Sequence, residues 1–307
     1  MKILNLLAPC LLLCVQFTAC IGTKKAEGPL PPYLQEHPCG EKHLLWKATK
    51  ANQPDIWLFG SIHVADSSFY PFAPVVDSAL ETASLVAAEL DIQENSTLAL
   101  TGRLVQENGT LPENLRLRDV LPDSLYRQID SLASSWGFSA RLLESFRPWL
   151  VAVSLSAFAF ERMGLSGEFG IDREILLRAE DQGKEIFALE TPGDQIGIFS
   201  DSEDSLGIEY LKNTLGEIQL ADSMLSGVMN AWKCGDAQGL RRFLDADDNI
   251  YEEELGAKRN IRMAKSVDSL SASGQKVFLV VGSAHLVSSG ANILTLLEER
   301  GYRIEAY

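Results

Sequence analysis

Two kinds of hydrophobic pattern divide the chain. Near both ends of its body the apolar residues stand in short runs, whereas through the middle they recur at the spacing of buried helix faces. HLLWKAT (43–49) and DIWLFGSI (55–62), separated by the turn-forming KANQPD, predict a β-hairpin entering a sheet. FYPFAPVVDSALETA (69–83) has helical spacing after a proline-containing start, and SLVAAELD (84–91) is a compact apolar run ending in acid. A helix and then a strand follow from this, with Glu89 and Asp91 at the strand's exit.

From about residue 96 to 180 the pattern is helical. LPDSLYRQIDSLASSWG (121–137) has an Asp-Ser start and a glycine stop, and SFRPWLVAVSLSAFAFERMG (145–164) is apolar on nearly every face. The uninterrupted apolar part of the latter falls short of the roughly 20 residues a membrane span needs, which makes it a buried central helix. GIDREILLRAEDQGKEIFALET (170–191) reads as helix, turn and the short strand EIFALE, and the acidic stretch 192–270 is again helical. QKVFLVVGSAH (275–285) is a buried strand, NILTLLEERG (292–301) a helix with a glycine stop, and YRIEAY (302–307) a last strand. The expectation is α/β: a single domain with a central mixed β-sheet built from N- and C-terminal strands and a large helical middle region.

Two of the predicted strands end alike, in Gly-Ser-Ile-His (60–63) and Gly-Ser-Ala-His (282–285), and they use two of only four histidines. A glycine and a small hydroxyl residue at a strand end let the chain turn and bring the imidazole to the sheet edge where ligands of α/β proteins bind. Two imidazoles plus a carboxylate make a three-ligand metal site with an open position, so His63, His285 and Glu89 are the candidate triad. Glu89 or Asp91 is the source of the carboxylate ligand, with Asp91 otherwise a supporting residue; such an ion would polarise a carbonyl and ionise a bound water, and a second carboxylate would act as base. Ser61 and Ser283 lack a nucleophile-elbow context and are assigned to turn formation or supporting hydrogen bonds. Arg259 and Asn260, in an otherwise amphipathic helix, are polar candidates for contact with substrate. Either histidine alone would more often be a strand-end residue bonded to backbone; it is the duplication that points to a site.

The first twenty residues, MKILNLLAPCLLLCVQFTAC, have the layout of a secretory leader. This gives 1–19 as a lipoprotein-type signal peptide with Cys20 acylated, 20–40 as a flexible tether, and 41–307 as the folded domain. Phe17 replaces the leucine usual in a lipobox, and cleavage near Ala19 to release a soluble protein is the alternative. The expected location is the bacterial cell envelope, with the membrane reached through the lipid anchor; the alternative cleavage would give a soluble periplasmic or secreted protein. Three of five cysteines lie in the leader, leaving Cys39 and Cys234 either as one disulfide or as two thiols. With 42 acidic against 27 basic residues, nucleic acid is excluded as an expected partner.

In order and spacing, GSIH (60–63), AELD (88–91), RPWLVA (147–152), GIDREILLRAEDQGKEIFALET (170–191), KRNIRMA (258–264) and VVGSAHLVSSGANILTLLEERGYRI (280–304) resemble the TraB/PrgY/GumN family, within it the bacterial GumN-like branch. The resemblance covers the body from about residue 41 onward. It implies a sheet-centred α/β fold and metal-dependent hydrolysis, most directly of peptides or proteins, with a divalent ion (manganese, cobalt or zinc). It marks His63, Glu89 and His285 as the site, Arg259 and Asn260 as neighbours, and Asp172 as a structural acid. A binding protein that sequesters a peptide or other small ligand in the same cleft is the alternative, and an envelope protein without a site is the third reading.

Overall fold

The computed structural model describes residue 39 and residues 43–200, 204–244 and 256–307. The leader, Cys20 and nearly all of the tether lie outside these residues.

Strands β1 (Leu45–Thr49) and β2 (Ile56–Ser61) form the expected antiparallel hairpin, Leu45 opposite Phe59. After helix α1 (Pro74–Thr82), strand β3 (Leu85–Ala88) is buried at every position, as a strand covered on both faces must be. Helices α2 (Asn95–Gly109), α3 (Leu117–Val120), α4 (Asp123–Ser135), α5 (Pro148–Arg162) and α6 (Ile171–Asp181) fill the next stretch. The glycine stop after α4 is Gly137, whose φ of 86° suits no residue with a side chain as well. Strand β4 (Glu185–Ala188) precedes helices α7 (Pro192–Ser200), α8 (Asp204–Lys233), α9 (Ala237–Leu244) and α10 (Lys258–Ala272). The chain closes with β5 (Val277–Gly282), the one-turn helix α11 (Ala284–Val287), α12 (Ile293–Glu299) and β6 (Arg303–Ala306).

The sheet order is β4-β3-β5-β2-β1-β6. β4, β3, β5 and β2 run parallel, whereas β1 is antiparallel to both neighbours, so the sheet is mixed and gathers strands from both ends of the body. β5 sits between β3 and β2 with all six residues buried, which explains its unbroken apolar sequence VFLVVG. The edges β4 and β6 are largely exposed.

Helix α5 is the buried central helix read from its sequence: it packs on α8, and Trp149 stacks on Phe199 with ring centroids 5.5 Å apart. Among the described residues no helix is long and apolar enough to cross a membrane. Cys39 and Cys234 are joined in a disulfide that ties the start of the body to the residue after α8.

Candidate functional site

Four parallel strands end at one edge, and each is followed by a polar residue. β2 leads to His63, β3 to Glu89 and β5 to His285, the last carried on α11 rather than on the strand itself. β4 leads to Glu190, whose N–H donates to the Glu89 carbonyl at 2.9 Å and so prolongs the β3–β4 pairing past the strand ends.

The glycine-serine sequences have separate tasks here. In the parallel pair Ser61 stands opposite Gly282, so the two motifs are offset by one residue. Ser283 donates to the Ser61 carbonyl from both N–H and Oγ, at 2.9 and 2.8 Å, stitching the strand ends together. A Cβ on Gly60 would lie 2.9 Å from Ser283 Oγ, so that position must stay small. The segment after β2 is held from the other side: Ile171 N–H donates to the Ile62 carbonyl at 2.9 Å, and a Cβ on Gly170 would meet the His63 carbonyl at 2.5 Å. That close approach at the start of α6 sets Asp172 Oδ2 at 3.0 Å from His63 Nδ1.

The second imidazole is anchored in the same manner, His285 Nδ1 lying 2.5 Å from Asn260 Oδ1 on α10. Neighbouring Arg259, 2% exposed, is bound between two carboxylates. Its Nε and Nη2 donate to Glu190 at 2.7 and 2.6 Å, and Nη2 also donates to Glu89 Oε2 at 2.9 Å. Gln195 of α7 donates from Nε2 to both carboxylates, and Gly282 N–H donates to Glu89 Oε1 at 2.8 Å. His285 Nε2 is 3.8 Å from that same oxygen.

These contacts set the charge states. Burial alone would raise the Glu89 carboxyl, but the surrounding His285, Arg259, His63 and Gly282 N–H bring it to about 2. Burial, reinforced by Arg259, pushes His285 down to about 3 against the opposing pull of Glu89. With His285 neutral above that pH, the guanidinium of Arg259, helped by His63 and the Gly282 N–H, keeps Glu89 ionised. Burial also acts against protonation of His63, yet the Asp172 charge and hydrogen bond, with Glu89 behind them, raise it above its ordinary value.

The edge therefore brings together His63, His285, Glu89, Asp172, Arg259 and Asn260, with Ser61 and Ser283 beneath them. Asp91 stays apart: its Oδ1 accepts from Gln93 N–H in a local turn. Arg259 is paired inside the protein rather than offered to a ligand. Glu190 and Gln195 are additions that sequence reasoning missed, although FALE (187–190) repeats the apolar-run-then-acid pattern of AAEL that singled out Glu89. Ser61, His63, Glu89, Asp172 and Gln195 line a cavity of about 20 Å³, room for a water or a bare cation but not for a side chain.

Two imidazoles pinned through Nδ1, one by a carboxylate and one by an amide, are the donor type that divalent transition metals take. The donors fit such an ion in kind. Their spacing is not that of a closed cage, because among the described residues no group of three or more His, Cys, Asp and Glu side chains is arranged to hold a metal.

The chain is 24% identical over 193 residues to the uncharacterized protein YbaP of Escherichia coli, an alignment covering 62% of this chain and 69% of that one; YbaP of Shigella flexneri matches to the same extent. It is also 24% identical over 316 aligned positions to the metalloprotease TIKI1 of Xenopus tropicalis, covering 85% of this chain and 60% of that protein. The metalloprotease TIKI2 of the same animal matches at 23%, with 59% of its length covered. No solved structure matches. Residues 44–306, from the first strand to the last, match the profile of the TraB/PrgY/gumN family, and the chain belongs to that family.

Proposed function

We propose that the protein is an exported, lipid-anchored hydrolase of the bacterial cell envelope that cleaves a peptide or protein at the His63–Glu89–His285 edge with the help of a divalent ion. The observation that carries the reading is the convergence of those three side chains at the ends of parallel strands, each fixed by a neighbour of its own. The distant similarity to the two Xenopus metalloproteases lends it support.

His63 and His285 would hold the ion, with Glu89 as a third ligand or as the base. A divalent ion held there supplies a Lewis acid and a water that ionises near neutrality. With Nδ1 of each ring bonded to an acceptor, the neutral tautomer carries its proton on Nδ1 and leaves Nε2 as the basic nitrogen. Arg259 keeps Glu89 ionised and so able to accept a proton from a water or a substrate N–H. Glu190 and Gln195 hold Arg259 and Glu89 at a fixed separation.

One observation favours a second reading, a binding protein that sequesters a peptide or other small ligand without cleaving it. Both oxygens of Glu89 already accept hydrogen bonds from Gly282, Arg259 and Gln195, an arrangement complete without an ion.

The deciding experiment is metal content by mass spectrometry on the purified protein beside the His63→Ala/His285→Ala variant, followed by a screen for peptide cleavage with and without chelator. Stoichiometric metal lost in the folded variant, and cleavage abolished by chelation, are expected. Protein that stays metal-free after loading with manganese, cobalt or zinc, and binds peptides without cleaving them, would transfer the conclusion to the second reading.

A further inference from the structure

Among the described residues six buried side-chain polar atoms have no hydrogen-bond partner. Three of them, Ser61 Oγ, Asp172 Oδ1 and Gln195 Oε1, belong to residues lining the cavity of about 20 Å³ beside His63 and Glu89. Native proteins rarely leave such atoms unpaired, and three of them at one small cavity point to a ligand.

Their orientations are chemically fixed. Gln195 Nε2 faces the carboxylates of Glu89 and Glu190, and a flipped amide would set oxygen against oxygen, so Oε1 must face away from them. Asp172 has Oδ2 committed to His63, which leaves Oδ1. Ser61 has its carbonyl occupied by Ser283, and its hydroxyl is the remaining group. The residues are 2%, 9% and 4% exposed for Ser61, Asp172 and Gln195, so bulk solvent does not satisfy them.

We propose that the cavity seats one water, which accepts from Ser61 Oγ–H and donates to Asp172 Oδ1 and Gln195 Oε1. Two acceptors and one hydroxyl are the complement of a water molecule, and three bonds is the usual number for a buried one. A hard cation is the poorer match, since it takes about six oxygen ligands and only one of these three atoms bears formal charge. The water joins the two arms of the site: a continuous run of hydrogen bonds leads from His63 through Asp172, the water and Gln195 to Glu89. It thereby sets the spacing between imidazole and carboxylate. The catalytic meaning of that spacing rests on the hydrolase reading, whereas the seat itself does not.

Crystals of the purified protein diffracting well enough to resolve waters test this directly. One density peak within hydrogen-bond distance of all three oxygens, roughly 2.6–3.2 Å, is expected. Ser61→Val, which places methyl groups in the cavity, should lose the peak and lower Tm by several degrees because two buried acceptors lose their donor. No peak in the parent, three side chains turned to bond one another, or a peak at about 2.0–2.3 Å with a metal's anomalous signal would each overturn the proposal. An unchanged Tm in Ser61→Val would do the same. If that variant does not fold, the parent's density decides alone, with Ser61→Ala as the comparison. A seated water in a protein that cleaves no peptide removes the hydrolase reading and leaves the seat; cleavage without the water does the reverse.

Discussion

Protonation at the sheet edge makes the site's contribution to stability depend on pH. His285 is held near 3, below its ordinary 6.5, so between those values the unfolded chain binds a proton there that the native state does not. Its contribution to stability is present above about pH 6.5 and is lost as the pH falls toward 3. Glu89 adds to the loss below 4.5, since its folded value is about 2. His63 has the opposite sign: raised by Asp172, it contributes fully below 6.5 and loses that contribution as the pH rises through its folded value. The site's combined contribution is therefore greatest near pH 6.5. Urea midpoints of the parent should fall between pH 6 and 5, and those of a folded His285→Gln variant should fall less; parallel curves would sink the assignment. At this scale the sequence discloses His63, His285 and Glu89, because each follows an apolar run that must stop at an edge. Glu190 follows the same kind of run but in a short strand bounded by charge, and Gln195 lies on a helix with no motif; their shared role shows only once the fold brings Arg259, 69 residues from Glu190, between the carboxylates.

Elements place these groups through close backbone approaches. The segment after β2 is fastened to the start of α6, and Gly170 is the point where the two chains touch. Its φ of −56° would accept any residue, so its restriction is spatial. Gly170→Ala should therefore cost about 1–3 kcal/mol, as small-to-large changes in packed sites do, and should disturb the His63–Asp172 contact. Chemical denaturation measures the first effect and the imidazole resonances of His63 the second; Gly183→Ala, which meets nothing but has φ of 64°, separates crowding from backbone strain. The hairpin, the buried β5 and the glycine helix stops are all legible in the hydrophobic pattern. Helix α11 is not, because a single turn is too short to show a period, and the sequence accordingly reads His285 as part of the strand's end. The strands β3 and β4 end before their acids for a related reason: pairing continues past them through single hydrogen bonds rather than a full ladder.

Across the whole molecule, one covalent link and one topology hold distant segments together. The Cys39–Cys234 disulfide spans 195 residues, and breaking it with Cys234→Ser should lower stability by about 2–5 kcal/mol, mainly by freeing the unfolded chain. Urea unfolding of parent and variant, with and without reductant, checks this: reductant should move the parent toward the variant and leave the variant unmoved. Counting cysteines shows that a pair is available, but only the fold brings the two together. The topology has a consequence in time. β5, the strand on which both β3 and β2 depend, lies at residues 277–282 of a 307-residue chain. Until it emerges, the chain holds two separate strand pairs with no shared edge, and Glu89 and His63 belong to different halves. A chain cut before residue 277 therefore lacks the strand that joins the His63 half of the site to the Glu89 half, and with it His285.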